Sequence, residues 1–436
     1  MDSSTVNYNE IELSSKKDTV SILMTIFLGI VTSCYFFPFS FTFLPESINT
    51  KILLAVLGIF ILIHKLMTTR SFEFDKDLLA VAGIAAVYSV IGYISADLNN
   101  SIDFAYANYW VSFSTWILGA YGCIALLKTA HEYVDFKLLF NYLIAVCVMQ
   151  CVIAIAMDNI PALKSFIDSY ISQATVANTE FLNEVDRLYG IGAAIDVAGT
   201  RFSIVILGLT VLLRNEINND NKIFLVYFYW ISLIIILVIG NMISRTTIVG
   251  VVLGAAYLLL TTDLFRHGIK RDSIASWGNI VLLSVGLVLV TTYLYNTNDI
   301  FKDQFRFGFE GFFNWIEQGE WTTGSTDRLN SEMWIWPDLN DYKTWIIGKA
   351  TFSNWHAVGT DIGYCRFIFY SGLLGLFTFS VFFVANALIF SRRFNNLNLF
   401  FILLLALGFI IWLKVSTDIF LIYALFYFLD DNKIRE

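Results

Sequence analysis

Charge and proline are what this chain has least of. Only 15 % of its 436 residues are Asp, Glu, Lys or Arg and only four are proline, whereas 57 % are hydrophobic. That balance excludes a soluble domain. The sequence also has no Walker A loop, no zinc-ligand spacing and no Gly-x-Ser-x-Gly nucleophile elbow, so the common routes to nucleotide, zinc and serine-hydrolase chemistry are missing. Cysteine is scarce: four of the five (Cys34, Cys123, Cys147, Cys151) lie in apolar runs. Cys147 and Cys151 share a helical face but have no further ligands beside them, which reads as packing.

What the sequence has in abundance is long apolar runs. Lipid offers no hydrogen-bond partner to an open strand, so runs of about 17 or more residues must be helices or a closed barrel. Their continuity, without ten-residue alternation, selects helices. The predicted fold is an all-α polytopic membrane protein of about twelve transmembrane helices. The first run is 20–44, and the others are 50–67, 78–97, 106–127, 137–157, 200–213, 222–240, 244–261, 278–296, 363–391, 396–413 and 415–430. Val31-Thr32-Ser33-Cys34 faintly resembles a lipoprotein cleavage box, but the apolar stretch continues through Phe36-Phe37, where a cleaved leader should turn polar. The chain therefore divides into a tail at 1–19, five spans in 20–157, a medium loop at 158–199, four spans in 200–296, a large loop at 297–362, three spans in 363–430 and a tail at 431–436.

Lysine and arginine set the expected orientation. With a cytoplasmic N-terminus, sixteen of the twenty-eight cations fall in or beside short inner loops, among them Lys65, Arg70, Arg214, Lys270, Arg271, Arg392 and Arg393. This is the positive-inside pattern, and it puts both termini inside and both longer loops outside. The formal charge of −8 adds nothing on partners. Gly250-Val251-Val252-Leu253-Gly254 permits close helix contact, read as packing within the bundle before a dimer seam.

Chemistry concentrates around the large loop and the helix that follows. Three outer helix starts carry an arginine: Thr200-Arg201, Ser244-Arg245-Thr246-Thr247 and Tyr364-Cys365-Arg366. A cation opposes the macrodipole at a helix N-terminus, whereas an anion there meets free N–H groups and a guanidinium fork. With Arg187 and Arg328 in the flanking loops, the pattern points to an anion site; the competing reading is arginines snorkelling to lipid phosphates. The 297–362 loop has ten acidic and five basic residues, which favours a selective clamp over a diffuse basic patch. The acidic residues read mainly as solvated surface, with Asp327 and Asp361 in this loop and Asp186 and Asp196 in the 158–199 loop the candidates for more. Six of the eleven tryptophans, including Trp334, Trp336 and Trp355, lie in this loop. They suit either the membrane interface or stacking on sugar rings. His356 is the one histidine away from the basic inner segments, and it is read as a candidate general base or as a loop residue bonded to backbone. An enzyme on the outer face has no nucleotide at hand, so its donor must arrive activated; a lipid diphosphate fits both that need and the arginines.

These features together resemble the O-antigen polymerase and ligase superfamily of bacterial envelopes. The resemblance rests on Asp186-Arg187-Leu188-Tyr189-Gly190, Ser244-Arg245-Thr246-Thr247, Asp327-Arg328-Leu329, and Gly359-Thr360-Asp361-Ile362-Gly363-Tyr364 running into Arg366 and Gly372-Leu373-Leu374-Gly375. It covers about residues 180–380, the first five spans matching only in hydropathy. It implies an inverting glycosyltransferase, independent of metal and of any cofactor, that uses undecaprenyl-diphosphate-linked oligosaccharide. It further implies membrane lipids as surroundings, a chain-length regulator and a flippase of the same pathway as partners, no nucleic acid, and a bacterial inner membrane with the active site facing the periplasm. Carried over, Arg187, Arg245 and Arg328 look like the family's outer-face arginines and would hold the diphosphate. Read from the residues themselves, Arg201 and Arg366 join them, His356 and Asp361 are the catalytic candidates, and Trp334, Trp336, Trp355 and Tyr364 are the glycan-binding ones. The ligase branch sets its loop histidine in a His-Asn or similar context, whereas here it is Trp355-His356-Ala357. The Gly-Thr-Asp-x-Gly-Tyr run is nearer the polymerase branch. Polymerase is the expectation, ligase the alternative, and a lipid-linked oligosaccharide flippase the competing class.

Overall fold

The computed structural model describes residues 20–45, 47–69, 75–173, 182, 187–216, 223–261, 285–286 and 288–430. In chain order the first half contains α1 (Ile22–Phe36), β1 (Ser40–Phe41), α2 (Thr50–Thr69), α3 (Lys76–Leu98), α4 (Tyr109–Leu127), α5 (Phe136–Asn159), α6 (Pro161–Tyr170) and β2 (Ile171–Ser172). Then come α7 (Ile195–Glu216), α8 (Ile223–Ile243) and α9 (Thr247–Thr261), followed by five short helices, α10 (Asp299–Gly308), α11 (Glu310–Gln318), α12 (Gly324–Glu332), α13 (Tyr342–Ile346) and α14 (Trp355–Val358). The chain closes with α15 (Gly363–Arg393), α16 (Asn398–Ile411) and α17 (Phe420–Phe426). Among the described residues, seven helices are long and apolar enough to cross a membrane, and three more apolar helices are shorter. Of the expected span at 278–296, residues 278–284 and 287 lie outside the described residues, and 285–286 and 288–296 are helical.

Helix α7 is the axis of the bundle. Every residue from Ala198 to Leu213 is buried, the environment of a helix that is apolar all round. Close approach to it needs small residues. A Cβ on Gly250 would stand 2.3 Å from Ser203 Cα, and one on Gly254 would stand 2.8 Å from Thr210 Cγ2, so this glycine pair packs α9 onto α7 inside the bundle.

Helix ends alternate between two faces. The face called the site end gathers the ends of α1, α3, α5, α8 and α16 and the starts of α2, α4, α7, α9, α15 and α17. At the opposite end Lys128 pairs with Asp430 at 2.6 Å, Lys137 with Glu216, and Arg393 with Asp75 at 3.8 Å. Asp75-Lys76-Asp77, the chain's one Asp-x-Asp, also belongs there: Asp75 caps α3 through Asp77 N–H at 2.9 Å.

The first expected span, 20–44, is helical only over Ile22–Phe36 and continues into the strand Ser40–Phe41. Two further apolar stretches differ from expectation. The run 415–430 forms only a seven-residue helix, Phe420–Phe426, all of it buried within the protein. Ahead of it Ser416 O accepts from Tyr106 Oη (3.1 Å), Thr417 O from Trp412 Nε1 (3.1 Å), and Asp418 Oδ1 from Phe420 N–H (3.0 Å). Those bonds hold 416–418 outside helix, and protein contact rather than lipid accounts for the apolarity. The second is α15, which breaks at Gly372 (φ 64°, ψ −169°), a conformation open essentially to glycine alone. The break frees carbonyls that Lys349 N–H (to Phe369 O, 2.7 Å) and Ala350 N–H (to Tyr370 O, 2.9 Å) then occupy. The large loop is thereby sewn into α15.

Candidate functional site

At the site end two arginines from distant parts of the chain share one aromatic ring. Arg187 lies in the segment before α7, and Arg245 in the turn between α8 and α9. Their guanidinium carbons stand 4.2 and 4.3 Å from the ring centre of Phe307 on α10. Asn241 Nδ2–H bonds to Gly308 O at 2.7 Å and fixes that end of α10 against α8, which sets Phe307 in place. Aromatic stacking supports a poorly hydrated guanidinium. Two like charges held on one ring are nonetheless costly. Burial first, and then the Arg245 charge, lower the pKa of Arg187 from its ordinary value, while Asp196 and Glu310 oppose the change.

Arg245 meets one carboxylate. Its Nη1 lies 2.6 Å from Glu310 Oε2, yet the approach is off the hydrogen-bonding direction and this buried nitrogen has no aligned acceptor among the described residues. Glu310 Oε1 accepts the Gly324 N–H at 3.1 Å, which ties the first turn of α12 to the same point. Beside this pair, Asp196 in the first turn of α7 accepts from Thr246 Oγ1 (2.5 Å), Ser244 Oγ (3.3 Å) and Lys414 Nζ (2.7 Å). The connection after α16 is thus strapped to the starts of α7 and α9. Three cations, Arg187, Arg245 and Lys414, face two carboxylates, Asp196 and Glu310.

The other expected residues are placed as follows. Arg328 is exposed on α12 and approaches Glu332 at 3.7 Å, one helical turn away. Arg366 donates to Phe352 O and stacks on the Phe352 ring at 4.0 Å, so it anchors the segment before α14. Arg201 is buried in α7, 6 % exposed, with Nε and Nη1 unpartnered among the described residues and Phe37 as its nearest ring at 5.4 Å. Asp186 lies outside the described residues. Asp327 is exposed. Asp361 Oδ1 accepts from Trp355 Nε1 at 2.7 Å, and exposed His356 sets its ring edge-on to Trp355 at 5.5 Å. Tyr364 donates to Phe409 O at 3.0 Å, a packing role against α16. Trp334 and Trp336 are exposed and continue into Trp345, with successive ring centres 5.7 and 6.1 Å apart. α12 connects the two groups: its start is bonded to Glu310, Leu329, Trp355 and Tyr364 pack against the cluster of Met333, Ile362 and Cys365, and the indole row begins just past its end. Nine residues of helix put about 14 Å between those ends.

Sequence reasoning had no route to Phe307, Glu310, Asp103 or Lys414. Phe307 is one of several phenylalanines in its segment and Glu310 one of ten loop carboxylates. Asp103 sits in a short connection, yet its carboxylate takes Phe352 N–H (2.6 Å), Ser353 N–H (2.5 Å) and Ser353 Oγ–H (2.9 Å). The pairing of Ser244 and Thr246 with Asp196 has a partial signal in the polar Ser-Arg-Thr-Thr opening of α9. Compared with known protein families, curated proteins and solved structures, the chain has no match.

Proposed function

We propose that the chain polymerises lipid-linked oligosaccharide repeat units at the periplasmic face of a bacterial inner membrane, with about twelve spans and both termini in the cytoplasm. One observation supports this reading: the guanidinium groups of Arg187 and Arg245 lie over the one ring of Phe307, 4.2 and 4.3 Å from its centre. Such a pair is built for a doubly charged anion. The indole row about a helix length away suits the sugars of a bound repeat.

In the proposed reaction a hydroxyl at the non-reducing end of one lipid-linked repeat attacks the anomeric carbon of a second glycan. The new glycosidic C–O bond forms as the bond to the lipid diphosphate breaks, with inversion at that carbon. The electron pair leaves on the diphosphate oxygen, where Arg187 and Arg245 stabilise charge that grows in the transition state. The acceptor proton passes to His356 or Asp361, which lie on one short segment before α15. Arg328 on exposed α12 can add to the headgroup contacts as substrate arrives.

The test is purified protein in lipid nanodiscs with a defined lipid-linked repeat and a chelator. Dimers and longer products with free lipid diphosphate support the proposal. Product only on a lipid A–core acceptor would select the ligase. Movement of intact substrate between leaflets without bond cleavage would replace both with the flippase, a reading to which the buried Arg201 lends its one observation. His356→Ala and Asp361→Asn assign the base: loss of turnover at unchanged substrate affinity identifies it.

A further inference from the structure

Glu310 occupies the arginine site while being held by something else. One of its oxygens lies 2.6 Å from Arg245 Nη1, off the hydrogen-bonding direction; the other takes the Gly324 N–H at 3.1 Å. It is the carboxylate that meets Arg245 directly, since Asp196 is engaged by Lys414, Thr246 and Ser244. The two form a close ion pair without an aligned hydrogen bond, and an anion that takes Arg245 Nη1 must displace Glu310.

We infer that Glu310 is an internal competitor for the diphosphate, a specificity-determining residue that weakens binding of the departing lipid diphosphate and speeds its release. The inference rests on Arg187 and Arg245 being the diphosphate cradle. A diphosphate esterified at both ends carries two negative charges, which two guanidinium groups balance once Glu310 has swung aside. After transfer the lipid diphosphate is esterified at one end only and gains charge, so the bare arginine pair would hold product more tightly than substrate. A carboxylate tethered to the first residue of α12 counters that, because it returns to Arg245 at high effective concentration.

Two variants separate charge from tether. Glu310→Gln keeps the shape, and an oxygen for Gly324 N–H, but removes the charge. Gly324→Pro removes that N–H alone. Position 324 is the first residue of α12, where proline is tolerated, and Thr323 before it is extended (φ −143°, ψ 143°), as a residue preceding proline must be. A Cβ at 324 would have no neighbour nearer than Glu310 Oε1 at 3.9 Å.

The experiment measures equilibrium binding and dissociation of geranyl diphosphate and of inorganic diphosphate on the full chain in nanodiscs. Relative to the unmodified protein, Glu310→Gln should bind both probes about tenfold tighter, with slower release. Gly324→Pro should bind a few-fold tighter and carries the test if Glu310→Gln fails to fold. Unchanged or weaker binding by a folded variant, while Arg245→Ala abolishes binding, overturns the competitor role and leaves the cradle standing. A gain for geranyl diphosphate alone also overturns it, since the effect would then lie on the lipid chain. Binding that Arg245→Ala leaves untouched overturns the cradle itself.

Discussion

Arg245 lies over Phe307 at 4.3 Å and 2.6 Å from Glu310; a lysine could reproduce neither the guanidinium's contact with the ring nor a two-pronged phosphate contact. Arg245→Lys should lower turnover roughly ten- to a hundredfold, since each charge-assisted contact is worth about 1.5–3 kcal/mol. Thermal stability should stay near that of the unmodified protein; a large fall in Tm would make the residue structural. Asp103 gives a pH prediction. Burial alone would raise its carboxyl, but bonds from Ser353 N–H, Phe352 N–H, the Ser353 hydroxyl and Ala105 N–H outweigh burial and hold it below its ordinary 3.8. A carboxyl depressed in the folded state contributes stability that is complete above its unfolded pKa and is lost as pH falls through the folded one. Hydrogen exchange at 349–353, corrected for intrinsic rates, should accelerate only below about pH 3.8, and Asp103→Ala should show the same acceleration at neutral pH. Acceleration already at pH 5 would assign the docking to another group.

At the scale of elements, the α15 break is where local and global structure are most tightly joined. A Cβ on Gly372 would stand 2.2 Å from Ile346 C and O, and φ is 64°. Gly372→Ala should therefore cost about 1–3 kcal/mol from the backbone alone, with added loss as the loop is pushed off α15, read as a lower Tm. Gly83→Ala in α3 is the control, because nothing lies within 4 Å of its Cβ; it should be neutral or slightly stabilising. Equal losses at both positions would contradict this account. The long helices were legible from continuous apolarity: the runs 50–67, 78–97, 137–157 and 222–240 became Thr50–Thr69, Lys76–Leu98, Phe136–Asn159 and Ile223–Ile243. The break at Gly372 was not, because a glycine in an apolar run looks like any other until the loop that fills the gap is known. Nor was the short α17, since apolarity alone does not separate lipid-facing from protein-facing helix.

For the whole molecule, the sequence pointed to the arginine-bearing turns but not to how they sort. Chain positions 187 and 245 meet only because α10 brings Phe307 between them, a tertiary fact without a local signal. Arg201 and Arg366 look equivalent to Arg245 in sequence, yet one is sunk in the central helix and the other is spent on Phe352. Orientation remains a prediction from charge: reporter fusions at about 218, 268 and 395 should read cytoplasmic and those near 175 and 320 external. An external reading at 268 would invert both long loops. The most direct measurement of the central claim is the rate of lipid diphosphate release from a lipid-linked repeat by Arg187→Ala, Arg245→Ala and the double variant. If the two arginines act as one cradle, each single loss should cost at least about tenfold, and the double variant should lose clearly less than the product of the two. Full release by a well-folded double variant would contradict the account.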